Sequence, residues 1–302
     1  MKTFTRRSFL DSVPALAAAA PSPAMPTIRL GPHSISRLIV GGNPVSANSH
    51  VSGALSSEMR DYFTAANTKK MLADCERAGI NTWQSRADRH IMRLLHEYRQ
   101  EGGRIQWIAQ TASEYGDLKR NLGEASSLRP EGIYHHGSQT DKYWLSGKID
   151  ATSEALKAIR QTGAQVGLGT HIPEVVDYVE SKGWDFDFYM TCVYNLSRSQ
   201  EEAEKLAGRP VKGEYFHDPD RERMLERVRR TAKPCLIFKV YAATRHCATP
   251  EDRRAALNLA FRYAKPGDAV VIGMFPKHQE QVEENCRLVI EAALSRRAPQ
   301  TP

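Results

Sequence analysis

The chain is 302 residues long, with 41% hydrophobic and 25% charged side chains and a formal net charge of +7. That length carries one sizeable α/β core, and no stretch beyond the N-terminus offers the roughly 20 consecutive apolar residues of a membrane span. The basic excess is interleaved with acids, as in Arg221-Glu222-Arg223, which is the pattern of a solvated helix face and not of a nucleic-acid-binding stripe.

Residues 1–26 read as an export-signal-like leader. Thr5-Arg6-Arg7-Ser8-Phe9-Leu10 resembles a twin-arginine signal, and a modest apolar stretch over 12–20 ends in small residues. The sequence therefore predicts export to the periplasm or beyond, with a cytoplasmic form if translation starts at Met25. The cysteines, Cys75, Cys192, Cys235, Cys247 and Cys286, show no CxxC spacing. That argues against a zinc ribbon and for reduced, buried thiols.

From residue 27 to 302 the chain reads as one domain. Short apolar runs alternate with amphipathic helical stretches, the pattern of parallel βα units. Eight runs are found, over 38–42, 81–85, 105–111, 132–136, 165–171, 186–195, 235–241 and 268–274. Helices fall between them, as over 67–78 and 153–161, and Gly79, Gly163 and Gly183 supply stops. A long connection over 197–230 adds a loop and a helix over one end. Eight such units predict a closed (β/α)8 TIM barrel. An open doubly wound sheet shares the beat, but no GxGxxG opens a helix.

In such a barrel the reactive groups stand at the C-terminal ends of the strands. Those ends carry Asn43, Gln84 with Arg86, Gln110, His135 with His136, His171, Tyr194 with Asn195, Lys239 with Tyr241, and Met274. His135 is expected on the rim as a substrate-orienting or proton-transferring group. Strand alternation turns His136 the other way, into a structural role. Lys239, inside the apolar run 236–241, is either paired with a buried acid or has its pKa lowered by burial, which suits Schiff-base or general-base work. By parity it points inward with Tyr241. Arg86 suits a bidentate clamp on a carboxylate or phosphate, or a surface pair with Asp88. A divalent metal site would draw on His135 and His171, joined by His217 with Asp218 or by Asp141. Trp83, Trp107 and Tyr134 read as packing residues.

Several stretches resemble the aldo-keto reductases. Ile28-Arg29-Leu30-Gly31 with Ile35-Ser36-Arg37-Leu38 is similar to the family's N-terminal hairpin, and Ala78-Gly79-Ile80-Asn81-Thr82 to its helix-to-strand step. The run 166–174, Tyr194-Asn195, Val271-Ile272-Gly273 and residues 281–285 match later strand ends and the cofactor-side terminus. The resemblance implies a barrel of aldo-keto reductase type and NADP(H)-dependent carbonyl reduction by an Asp, Tyr, Lys and His tetrad. At those four positions stand Gln84, Arg89, Gln110 and His135, so one of four is kept. Tyr241 lies where the family stacks a tyrosine on nicotinamide, and Asn285 ends the closing Glu-Asn pair. Lys277 partly replaces the family's phosphate-binding Lys-Ser pair.

The expected function is that of a barrel enzyme acting on a polar, carbonyl-bearing small molecule such as a sugar derivative, without the usual tetrad. Two alternatives stand beside it. One is a lyase or isomerase that uses Lys239 or a metal on His135 and His171; the other is a noncatalytic small-molecule-binding barrel.

Overall fold

The computed structural model describes residues 24–295, so the twin-arginine-like motif over 5–10 lies outside the described residues. A hairpin of β1 (Thr27–Leu30) and β2 (His33–Ser36) leads into eight further strands. These are β3 (Leu38–Gly41), β4 (Thr82–Arg86), β5 (Gln106–Gln110), β6 (Gly132–His135), β7 (Gln165–Thr170), β8 (Phe188–Cys192), β9 (Cys235–Phe238) and β10 (Ala269–Gly273). All eight are parallel and pair in chain order, and β10 closes on β3 with Gly273 opposite Gly41. Each apolar run read from the sequence carries one of them, and the architecture is a (β/α)8 TIM barrel.

The strands are sheathed by α1 (Gly53–Tyr62) and α2 (Ala65–Arg77) after β3, α3 (Arg89–Gln100) after β4, and α4 (Leu118–Ser126) after β5. Next come α5 (Gly137–Leu145) and α6 (Asp150–Arg160) after β6, α7 (Pro173–Lys182) after β7, and α8 (Gln200–Ala207) and α9 (Pro219–Arg230) after β8. The last two are α10 (Pro250–Tyr263) and α11 (Gln281–Ser295). None of the described helices is long and apolar enough to cross a membrane. Local chemistry sets the helix ends. In α3, Asp88 accepts from the Ile91 N–H at the start, while Ile91, Met92, Leu94, Leu95 and Tyr98 bury one face. Thr249 and Asp252 form a reciprocal capping box ahead of α10, with Pro250 in the first turn.

The barrel interior is a dry plug. Ile39, Ile108, Tyr134, Phe188, Met190 and Val271 point into it, and Ile28, Leu30 and Ile35 of the hairpin fill it from the N-terminal end. The hairpin is tied there by the Ser34 carbonyl, which accepts from the side chains of Asn81 and Gln106 at 3.0 and 2.8 Å. Gly167 lies so close to the Phe188 ring and Tyr134 Cβ that a methyl group has no room. With the N-terminal end filled, a ligand has access through the C-terminal end.

Two strands are shorter than the sequence predicts by three residues or more. The run 235–241 ends as a strand at Phe238, because Lys239 takes a left-handed φ of 65°. Lys239 is therefore not a strand residue, and the parity that pairs it with Tyr241 does not apply. The run 186–195 narrows to Phe188–Cys192. The connection after β8 holds two helices instead of one, and the segment between them, 208–218, lies at the mouth.

Candidate active site at the C-terminal mouth

The interior parity of β6 decides which histidine meets the mouth. Tyr134 packs inside the barrel against Phe188, so His135 on the next position leaves outward. Its Nδ1 lies 2.8 Å from Thr140 Oγ1 on α5, its ring lies parallel to Tyr143 at 6.0 Å, and it lines a groove between α6 and the β5–α4 loop. The expectation that His135 acts on the rim is thus corrected by one residue. His136 takes the mouth-facing side, within electrostatic reach of Arg86, His171, Asp141 and Glu114. Burial, reinforced by Arg86 and His171, lowers its pKa to about 4, and its buried Nδ1 has no partner among the described residues. His135 is also pushed down to about 4, chiefly by burial.

Two halves of the mouth differ. On the β4–β6 side, Gln84 Nε2 donates to the Tyr134 hydroxyl at 2.8 Å and that hydroxyl donates to Gln110 Oε1 at 2.7 Å. Gln84 and Gln110 are the positions where the family resemblance calls for an aspartate and a lysine. A neutral amide–phenol–amide chain fills that space, and burial raises the Tyr134 pKa far above its usual value. Arg86 pairs with Glu114, not with Asp88, whose carboxylate caps α3. Arg89, at the family's tyrosine position, is largely exposed at the start of α3.

On the β7–β9 side the groups are charged. Asp141 in α5 is almost fully buried and collects four donors: Thr170 Oγ1 at 2.6 Å, Ser197 Oγ at 2.7 Å, the His171 amide at 3.2 Å and His171 Nδ1 at 2.6 Å. A carboxylate only accepts, so Nδ1 carries a proton, and Nε2 is left without a hydrogen-bond partner among the described residues. The His171 ring edge meets Phe238, the residue before Lys239, at 5.6 Å.

The Lys239 side chain makes no hydrogen bond or ion pair with any described residue; its ammonium lies 5.6 Å from the Phe216 ring centre. Burial lowers its pKa to about 8, opposed by the nearby Cys192 and Glu214. Cys192, fully buried beneath, is pushed up to about 12 by the same desolvation. Glu214 accepts from His50 Nδ1 at 2.8 Å. Burial raises its pKa, but the bond and charge of His50, with Lys239 and His171, hold it below the usual carboxylate value.

Between Lys239, His50 and α11 runs a cavity of about 260 Å³, walled also by Gln84, Tyr241, Gln281 and Asn285 among others. The Tyr241 hydroxyl donates to Asn285 Oδ1 at 2.7 Å. Lys277 does not line this cavity; it is bound to Glu58 at 2.8 Å. The metal reading finds no support in geometry. His135 is turned away from His171, Asp218 is engaged by His246 and Tyr194, and among the described residues no three His, Cys, Asp or Glu side chains come together as a metal-binding group.

Backbone strain marks the same region. Of the seven described non-glycine residues with positive φ, Lys239, Ala242, Ala243 and Thr244 lie in the β9–α10 loop and Ala47 and His50 in the β3–α1 loop. Both loops wall the cavity. Side chains in this conformation cost of order 1 kcal/mol each and gather at ligand clamps.

The sequence reading set His136 at a strand end but gave it a structural role, and it missed His50, Glu214 and Ser197. His136 is legible only once the parity of β6 is known. His50 and Glu214 sit in polar loops with no periodicity, 164 residues apart.

No protein-family model matches the chain and no curated protein matches it. Solved structures do. An aldo-keto reductase from Bacillus halodurans aligns with a TM-score of 0.52 at 14% identity, over 89% of this chain and 94% of that one. A 7,8-dihydropteroate synthase from Vibrio fischeri gives 0.52 at 11%, over 92% and 99%. A truncated 3-deoxy-D-arabino-heptulosonate 7-phosphate synthase from Thermotoga maritima gives 0.50 at 11%, over 91% and 92%. The aldo-keto reductases are therefore one of several TIM-barrel families that this fold resembles, and at such identities the likeness is one of fold.

Proposed function

We propose that the protein is an enzyme acting on a polar, carbonyl-bearing small molecule, and that the Lys239 amine is its nucleophile. The observation that carries this reading is an amine without a hydrogen bond or ion pair, desolvated and strained in place at a barrel strand end, on the same side of the mouth as a histidine oriented by a buried carboxylate. The neutral amine adds to the carbonyl carbon. The carbonyl oxygen departs as water with one proton from the lysine nitrogen and one from an acid, leaving a protonated imine. His171, held by Asp141, is the group suited to carry that proton and later to accept one from carbon.

The test is borohydride reduction in the presence of small aldoses, ketoses and 2-oxo acids, read by peptide mass. A stable adduct on Lys239, absent from Lys239→Met, supports the reading; no adduct on Lys239 with any of these carbonyls contradicts it.

A second reading is nicotinamide-dependent reduction, favoured by the cavity running past Tyr241 to Gln281 and Asn285. The neutral Gln84–Tyr134–Gln110 chain and the engaged Lys277 weigh against it. Quenching of tryptophan fluorescence by micromolar NADPH or NADH would favour this second reading over the first.

A further inference from the structure

We infer that the substrate is anionic, carrying a carboxylate or phosphate close to its carbonyl, and that Arg245 is the residue that holds this group. The inference rests on the imine-forming reading of Lys239 for its carbonyl half. It stands on three observations of its own.

First, the Arg245 guanidinium lies over the Phe216 ring at 4.1 Å, and the Lys239 ammonium lies 5.6 Å from the same ring. Two cations are thus gathered about one aromatic ring, an arrangement that lowers the free energy of each only modestly and leaves their mutual repulsion in place. Second, neither has a carboxylate partner among the described residues, whereas Arg86, Arg198, Arg221 and Arg253 at other strand ends and loops of the mouth each have one. The nearby acid, Glu214, is bound to His50. Third, Arg245 spends only Nη1, on the Ala242 and Ala243 carbonyls at 3.0 and 3.2 Å. Its Nε and Nη2 edge, the pair that grips a carboxylate or phosphate with two parallel hydrogen bonds, remains unused.

The loop is wound to give this result. Left-handed φ values of 49°, 47° and 78° at Ala242, Ala243 and Thr244 bring the chain round so that Arg245 folds back on Phe216 near Lys239. An anion beside Lys239 would balance both cations, while the carbonyl next to it meets the amine. The Phe216 ring separates the two functions: it shields the amine from water and gives the guanidinium a flat support.

Matched pairs of probes test the inference: pyruvate against methyl pyruvate, and dihydroxyacetone phosphate against dihydroxyacetone. Borohydride trapping on Lys239 is measured for each, and binding is followed separately by saturation-transfer NMR without borohydride. One anionic member is expected to trap at least about tenfold faster than its neutral partner, and the pair that does so tells carboxylate from phosphate. In Arg245→Gln that ratio is expected to fall towards one, with Arg245→Lys keeping part of it. Thermal unfolding checks that both exposed-site variants fold. Equal trapping of neutral and anionic members, or a ratio unchanged in Arg245→Gln, overturns the inference while leaving the imine reading standing. Anion binding that is lost in Arg245→Gln, with no trapping of any probe, supports Arg245 as the anion site and removes the imine chemistry.

Discussion

The two halves of the barrel mouth solve the same geometric problem with opposite chemistry. On the β4–β6 side, Gln84, Tyr134 and Gln110 satisfy one another in a neutral chain. On the β7–β9 side, Asp141 holds His171 while Lys239 and Arg245 stand without carboxylate partners. In the neutral chain the closed hydrogen bonds offset most of the cost of burying its polar atoms, so the chain behaves as part of the plugged interior. The charged half retains unspent hydrogen-bonding capacity and strained backbone, which is where ligand binding and proton transfer are supported. The contrast teaches that position at a strand end is not enough: Gln84 and Gln110 stand there but are spent on Tyr134, whereas Lys239 and Arg245 keep their hydrogen-bonding capacity.

Substitutions in the two halves should therefore behave differently. The largest effect is expected at Lys239. Lys239→Met should abolish borohydride trapping, and it should stabilise the protein at pH 7 by on the order of 2 kcal/mol, measured by urea unfolding. The sign follows from the pKa lowered to about 8: the folded state disfavours the charged amine. Wild-type stability relative to Lys239→Met therefore rises as pH climbs from about 8 towards the unfolded lysine value, and the penalty is fully present below about 8. A Lys239→Met protein less stable than wild type at pH 7 would mean that the amine is paired.

Next in size is Asp141→Asn. It breaks the orientation of His171 and leaves Thr170, Ser197 and His171 Nδ1 competing for a weaker acceptor, so trapping on Lys239 should slow by about 10²-fold. A smaller, purely structural effect is expected in the neutral half. Tyr134→Phe leaves two glutamine side chains without their shared partner and should cost about 1–3 kcal/mol of stability by urea unfolding. Trapping should change by less than about threefold, because the phenol is spent between two amides and burial, only partly offset by Arg86, keeps its proton in place. A large loss of trapping would place the proton donor in the neutral half after all. The smallest effect is expected at His135→Phe, which removes the hydrogen bond to Thr140 and should cost about 1 kcal/mol with trapping rates unchanged.

Much of the fold was legible because parallel strands buried on both faces leave continuous apolar runs between amphipathic helices, and all eight were found that way. Lys239, Tyr241, Gln84 and His171 were legible as mouth residues because strand ends and the loops just beyond them can be read off those runs; Asn285, inside α11, came only from the family resemblance. The outward turn of His135 was not, since parity depends on where β6 begins to pack against Phe188, a contact between strands 54 residues apart and invisible in the local pattern of Ile133-Tyr134-His135-His136. The left-handed turn at Lys239 was hidden for a related reason: nothing in Phe238-Lys239-Val240-Tyr241 marks a break, and the conformation is imposed by the loop that follows. His50 with Glu214 shows the same limit, a pair made by tertiary folding between two polar loops.

The proposed chemistry depends on one amine. Lysine labelled with ¹³C at Cε, assigned by comparison with Lys239→Arg and titrated by NMR, measures it directly. A midpoint for Lys239 near 8 is the expected result; a midpoint at or above the ordinary lysine value of about 10.4 would show a solvated or paired ammonium and contradict its assignment as the nucleophile.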